Sequence, residues 1–141
     1  MNKDYPEYHR HLGRLIKELR DEIPVTMRGF SEMHSGALAD GALSTRTKEL
    51  MALAISIAVR CDGCIAYHVH DALKAGATGE EITETIGVAI QMGGGPALMY
   101  GAEALEALQQ FQSSTTEVRP SNKESFLPMA TSNPQGELEG G

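Results

Sequence analysis

The chain has 141 residues, enough for one domain with a real core, and its aromatic content is low, with no tryptophan. Its net charge is −7, from 12 basic and 19 acidic residues, and no basic cluster stands out, which argues against nucleic acid or an anionic membrane as a partner. The first residues, MNKDYPEYHRHLGR, hold no apolar signal-peptide core, and the longest apolar run, Leu50 to Val59, is too short to cross a bilayer and is broken by Ser56. These features predict a cytoplasmic protein with no membrane segment.

The periodicity predicts an all-α fold of about six helices and no strand. Tyr5-Pro6 opens a first helix over about Glu7 to Glu22, with Leu12, Leu15, Ile16 and Leu19 as an apolar stripe. Pro24 ends it and fits the first turn of a second helix, which carries Met27, Phe30, His34, Ala37 and Leu38 on one face and stops near Gly41. Ser44 or Thr45 caps a third helix, to about Val59, which is apolar nearly all round and is expected to be the central buried one. A fourth begins in the Cys-Asp-Gly-Cys segment and is closed by Gly76. Thr78 to Glu81 has the spacing of a capping box and opens a fifth, with Ile82, Ile86, Ala89 and Ile90 inward. The Gly93-Gly94-Gly95-Pro96 run reads as a tight interhelical turn rather than a phosphate cradle, since no strand precedes it and no G-K-[ST] follows. Leu98, Ala102, Leu105 and Leu108 form the stripe of a last helix, and Met92, Met99 and Tyr100 are core residues or pocket lining. Residues 1–112 therefore form one helical domain, and 113–141 a polar tail rich in Ser, Thr, Pro and Gly, whose one sticky patch is Phe126-Leu127-Pro128-Met129.

The chemistry is concentrated between Glu49 and His70. This stretch holds both cysteines, two of the five histidines and a lone acid in an apolar run. On a helix that starts at Cys61, the C-x-x-C-x-x-x-H spacing brings Cys61, Cys64 and His68 to one face, while His70 points away and reads as a packing or surface histidine. Thiols at a helix N-terminus are activated by the dipole and unpaired N–H groups, and an imidazole one turn on can accept a thiol proton. Asp62 opposes this if it points inward. Glu49 has two readings: a buried carboxylate that orients His68, or an acid in an exposed first turn. The cysteines also have quieter readings, as small core residues, as an inert disulfide, or with His68 as metal ligands. No second knuckle supplies a fourth ligand, so dithiol redox chemistry is preferred and no metal or cofactor is expected.

Glu49, Cys61, Cys64 and His68, as E-x11-C-x-x-C-x-x-x-H with flanks LSTRTKELMALAISIAVRCDGCIAYHVHDALKAGATGEEI and AIQMGGGPALMYGAEALEAL, resemble the signature of the alkylhydroperoxidase D-like branch of the carboxymuconolactone decarboxylase family. The likeness covers about Gly29 to Phe111. It implies an all-helical homo-oligomer, a trimer or hexamer, with thiol peroxidase or related dithiol–disulfide activity on a small-molecule peroxide, and a dithiol reductant or redox partner protein. It further implies Cys64 as the peroxidatic thiolate, Cys61 as proton donor and then resolving thiol, and His68 as proton acceptor held by Glu49. Hydroperoxidases of this kind carry a second histidine between the two cysteines, where this chain has Gly63, so a shorter proton relay is implied. The alternatives are a lyase acting on a small lactone acid, with His68 as acid–base, and a non-catalytic metal-binding or assembly module.

Overall fold

The computed structural model describes residues 2–117. They form five helices and, among the described residues, no strand: α1 Tyr5–Glu22, α2 Pro24–Leu38, α3 Thr45–Ala58, α4 Asp62–Lys74 and α5 Gly79–Glu117. The expected fifth and sixth helices are one long element broken inside by Gly94, which adopts φ 67° and ψ −151°. The glycine run therefore acts as a kink rather than a turn: a single residue leaves helical geometry, in a conformation that glycine adopts at no steric cost. The last five residues of α5 fall in the stretch read as the tail, and Phe126-Leu127-Pro128-Met129 lies outside the described residues.

Local chemistry sets most helix ends. Asp4 caps α1 by accepting from Glu7 N–H, and Pro24 takes the first position of α2. Ser44 caps α3 by accepting from Thr47 N–H. Thr78 and Glu81 cap α5 reciprocally: Thr78 N–H donates to Glu81 Oε2, and Glu81 N–H donates to Thr78 Oγ1. Gly76, at φ 92°, closes α4 in a Schellman turn, with Ala77 N–H donating to Ala72 O and Gly76 N–H to Leu73 O. Gly41 is not the stop of α2. That helix ends earlier, at Leu38, and Asp40 Oδ1 accepts from Thr45 N–H to hold the connection to α3.

The core gathers Leu53 and Ile57 of α3, Ile65, Ala66, Val69 and Ala72 of α4, and Ile82, Ile86, Ala104, Leu108 and Phe111 of α5, with Tyr5 of α1 fully enclosed. α3 is central but not buried all round, because Met51 and Ile55 face outward. The stripe expected on the last helix is also rotated. Ala97, Gly101, Ala104 and Leu108 point inward, whereas Leu98, Ala102 and Leu105 are exposed. Small residues let the two arms of α5 approach: a Cβ on Gly101 would meet Ile86 Cγ2 at 2.8 Å. Leucines at those inner positions would hold the arms apart. Met92 and Met99 stand on the surface rather than in a pocket, and Tyr100 is half-buried. Among the described residues, no helix is long and apolar enough to cross a membrane.

Candidate redox site at the start of α4

α3 and α4 meet in three residues. Arg60 N–H donates to Ile57 O and Cys61 N–H to Ser56 O, a second Schellman turn with Arg60 at φ 61° in the left-handed position. Cys61 leaves this turn as the N-cap of α4, where its Sγ accepts from Cys64 N–H at 3.2 Å. One residue thus ends one helix and starts the next, which fixes its sulfur at the positive end of α4. Cys61 and Cys64 are joined by a disulfide, and both are half-buried.

His68 lies one turn beyond Cys64 on α4. Its Nδ1 is 2.7 Å from Oε2 of Glu49, which projects from the second turn of α3 and is 4% exposed. Glu49 is therefore not the exposed first-turn acid of its alternative reading. An ionised carboxylate only accepts, so Nδ1 carries the hydrogen and Nε2 keeps a free lone pair. The four residues singled out in the sequence thus form two pairs: a disulfide at the helix start, and a carboxylate–imidazole pair whose histidine is one turn further along α4.

Asp62, between the cysteines, turns away from them toward the N-terminal segment. Lys3 Nζ bridges Asp62 Oδ2 at 2.7 Å and Glu103 Oε2 at 2.8 Å, and the hydroxyl of buried Tyr5 donates to Glu103 Oε2. Partial burial opposes the Lys3 charge, but the hydrogen bonds to Asp62 and Glu103 more than offset it and hold the ammonium above the ordinary lysine range. Burial, then the Glu103 hydrogen bond, push the Tyr5 hydroxyl upward as well. The effect beside the disulfide is that Lys3 answers the charge of Asp62.

Gly63 faces α1. A Cβ there would come within 3.0 Å of Leu12 Cδ1 and 3.8 Å of the Tyr8 hydroxyl. The position at which the resemblance implies a relay histidine is here covered by the first helix. The contacts of Lys3, Tyr8 and Leu12 with this segment escaped sequence reasoning because nothing local ties them to a motif some fifty residues downstream. His70 does stand off this face. It is half-buried between α1 and α5, with Nδ1 2.7 Å from Asp71 Oδ1.

The profile of the carboxymuconolactone decarboxylase family matches residues 24–107, which take in α2, α3, α4 and most of α5. The chain belongs to the carboxymuconolactone decarboxylase family. It is similar to a solved family protein from Legionella pneumophila, with 45% identity and a TM-score of 0.74 over 76% of this chain and 96% of that one. It is also similar to a solved family protein from Thermotoga maritima with a suggested part in antioxidative response, at 31% identity and a TM-score of 0.62 over 66% of this chain and 96% of that one. An uncharacterized protein of Cupriavidus necator is 34% identical over 105 residues, 74% of this chain and 93% of the relative. These helical relatives agree with the all-α architecture, and the C-x-x-C pair is consistent with the family's alkylhydroperoxidase D-like branch. α1, the element that covers Gly63, lies ahead of the region matched by the family profile.

Proposed function

We propose that this family member is a thiol-dependent peroxidase cycling Cys61 and Cys64 between dithiol and disulfide. The observation that carries the reading is the disulfide at the N-terminus of α4 with the Glu49–His68 pair one turn behind it. In the reduced chain, His68 Nε2 takes the Cys64 proton, and the thiolate attacks one peroxide oxygen. The O–O bond breaks, the alcohol leaves with a proton, and Cys64 becomes a sulfenic acid. Cys61 attacks that sulfur, water leaves, and the disulfide forms. An external dithiol then returns two electrons and two protons. Glu49 holds the His68 tautomer and stabilises its charged form. The suggested antioxidative part of the Thermotoga maritima relative supports the same reading.

The cycle suits a reducing cytoplasm, where the disulfide is a state and not a staple. It also suits an assembly of several copies: Phe30 and Met33 on α2, Ile55 on α3 and Met92 on α5 are exposed apolar side chains that a second copy would cover. Peroxide consumption with a dithiol reductant tests the activity, and equal turnover by wild type and Cys64→Ser would overturn it. A lactone decarboxylase would instead keep its activity without either thiol. Light scattering on the purified protein tests the assembly, and a monomer mass at micromolar concentration would remove it.

A further inference from the structure

On the far side of α4 from His68, two histidines meet. His70 is two residues beyond His68, so it projects about 160° away from it around the helix. Its ring stacks on His9 of α1, with centroids 4.2 Å apart and planes at 29°. Tyr67 lies 4.4 Å from His9, and Phe111 of α5 closes the group at 5.5 Å from His70. Aromatic packing alone would be served by phenylalanine at either position. Asp71 adds something that packing does not require. Its Oδ1 is 2.7 Å from His70 Nδ1, and one ligand atom from each of His9, His70 and Asp71 lies within 4.8 Å of the others, all three side chains being half-buried.

We propose that His9, His70 and Asp71 bind one divalent transition-metal ion of the zinc, cobalt or nickel type. Two imidazoles and one carboxylate are borderline donors that suit these ions better than calcium or magnesium. With bonds of about 2.0–2.1 Å, ligand atoms around a four-coordinate ion lie about 3.4 Å apart. The His70–Asp71 separation opens by several tenths of an ångström, and the widest separation closes by at most about 1.4 Å, within reach of ring rotation at a half-buried site. Nδ1 of His70 and Oδ1 of Asp71 already face one point, occupied by the hydrogen they share. The ion takes that point, His70 binds through Nδ1 as the neutral tautomer with its hydrogen on Nε2, and Asp71 passes from acceptor to ligand.

The surroundings permit the charge. Arg10, next to His9, is paired through Nη2 with Glu7 Oε2 at 2.8 Å. Lys74, one helical turn from His70, is exposed to water. Three protein ligands leave a coordination position open. His70 also forms part of the wall of a cavity of about 580 Å³, with Leu73, Lys74, Phe111 and Thr115, so one side of its ring borders space open to water.

The test uses the full chain in its disulfide form, since reduced Cys61 and Cys64 with His68 would offer a competing thiolate site. Cobalt(II) is titrated in by equilibrium dialysis and followed by its visible d–d bands. One ion per chain, with no sulfur-to-cobalt charge-transfer band, is expected. His9→Gln and Asp71→Asn should each weaken binding by at least roughly tenfold. Absence of stoichiometric cobalt, or unchanged affinity in both variants, overturns the site. A readout that needs no variant is the broadening of histidine ring signals in the wild type. Cobalt should broaden His9 and His70 ahead of His11 and His34; equal broadening of all four would refute the assignment.

Discussion

Nδ1 of His68 and Oε2 of Glu49 lie 2.7 Å apart across the junction of α3 and α4, with the carboxylate almost wholly enclosed. The pair ties the helix that bears the cysteines to the central helix of the fold. Removing the acid should therefore have two separable effects. Glu49→Ala leaves a largely buried imidazole nitrogen unpartnered and should lower stability by about 1–3 kcal/mol, read by urea unfolding. Glu49→Gln keeps the volume and removes the charge. In the reduced protein it should slow alkylation of Cys64 at neutral pH by roughly tenfold or more, as His68→Asn should. An alkylation profile against pH identical to wild type would take Glu49 out of the proton relay.

The contact of Gly63 with Leu12 makes a different demand. Glycine is a poor helix former, so on propensity alone almost any substitution in this first turn of α4 should help. The space does not allow it, because Leu12 Cδ1 would stand 3.0 Å from the new Cβ and the rest of a histidine would have to pass it. Gly63→His should therefore lift α1 off the cysteine segment, seen as faster amide exchange in Tyr5–Glu22 than in wild type while α3 and α5 hold theirs. Adding Leu12→Ala should restore the protection. If Gly63→His alone leaves α1 exchange unchanged, α1 does not close over that position.

Features carried by neighbours in sequence were legible without coordinates. The caps at Ser44 and Thr78, Pro24, Gly76 and the one-face spacing of Cys61, Cys64 and His68 all depend on residues within about two helical turns, where helix geometry does the work. Burial was less legible, because a period shows which residues share a face but not which face meets a neighbour. Leu98 and Leu105 look inward by composition, yet Ala97 and Ala104 are the buried ones, since two arms of α5 pack closely only across small side chains. Contacts from α1 to α4, such as Leu12 with Gly63 and His9 with His70, span fifty to sixty residues and leave no local trace. The Glu49–His68 link falls between these cases: the cost of burying a carboxylate pointed to a histidine partner, and only the helix crossing decides that Glu49 is the buried acid rather than an exposed first-turn one.

Asp40 predicts an acid limb of the stability curve. Its Oδ1 accepts from Thr45 N–H at 2.7 Å, and this backbone hydrogen bond, joined by the Thr45 side chain, holds the carboxyl below the usual aspartate range. The folded state then favours the ionised form more than the unfolded chain does. The resulting stabilisation is fully present above the unfolded value near 4 and is lost as pH falls through the lower folded value. Asp40→Ala should show a shallower loss of melting temperature than wild type below about pH 4, so that the two proteins differ less at about pH 2 than at about pH 6. Parallel curves for the two proteins across that range would remove Asp40 as a contributor.

Arg60 occupies the left-handed position of the turn that delivers Cys61 to the start of α4. A side chain in that region crowds its own carbonyl, at a cost of roughly 1–2 kcal/mol relative to glycine. Part of the gain from glycine is returned through the larger entropy of the unfolded chain. Arg60→Gly should still raise stability, by about 0.5–1 kcal/mol, and Arg60→Val should lower it by at least that much, because a β-branched side chain tolerates this conformation least. Urea midpoints of the disulfide-bonded protein measure both. Because Arg60 N–H and Cys61 N–H close the same turn, the valine variant should also re-form the Cys61–Cys64 disulfide more slowly after reduction, whereas the glycine variant should not. A glycine variant less stable than wild type would mean that the left-handed geometry carries no strain, and that the arginine side chain stabilises the turn in some other way.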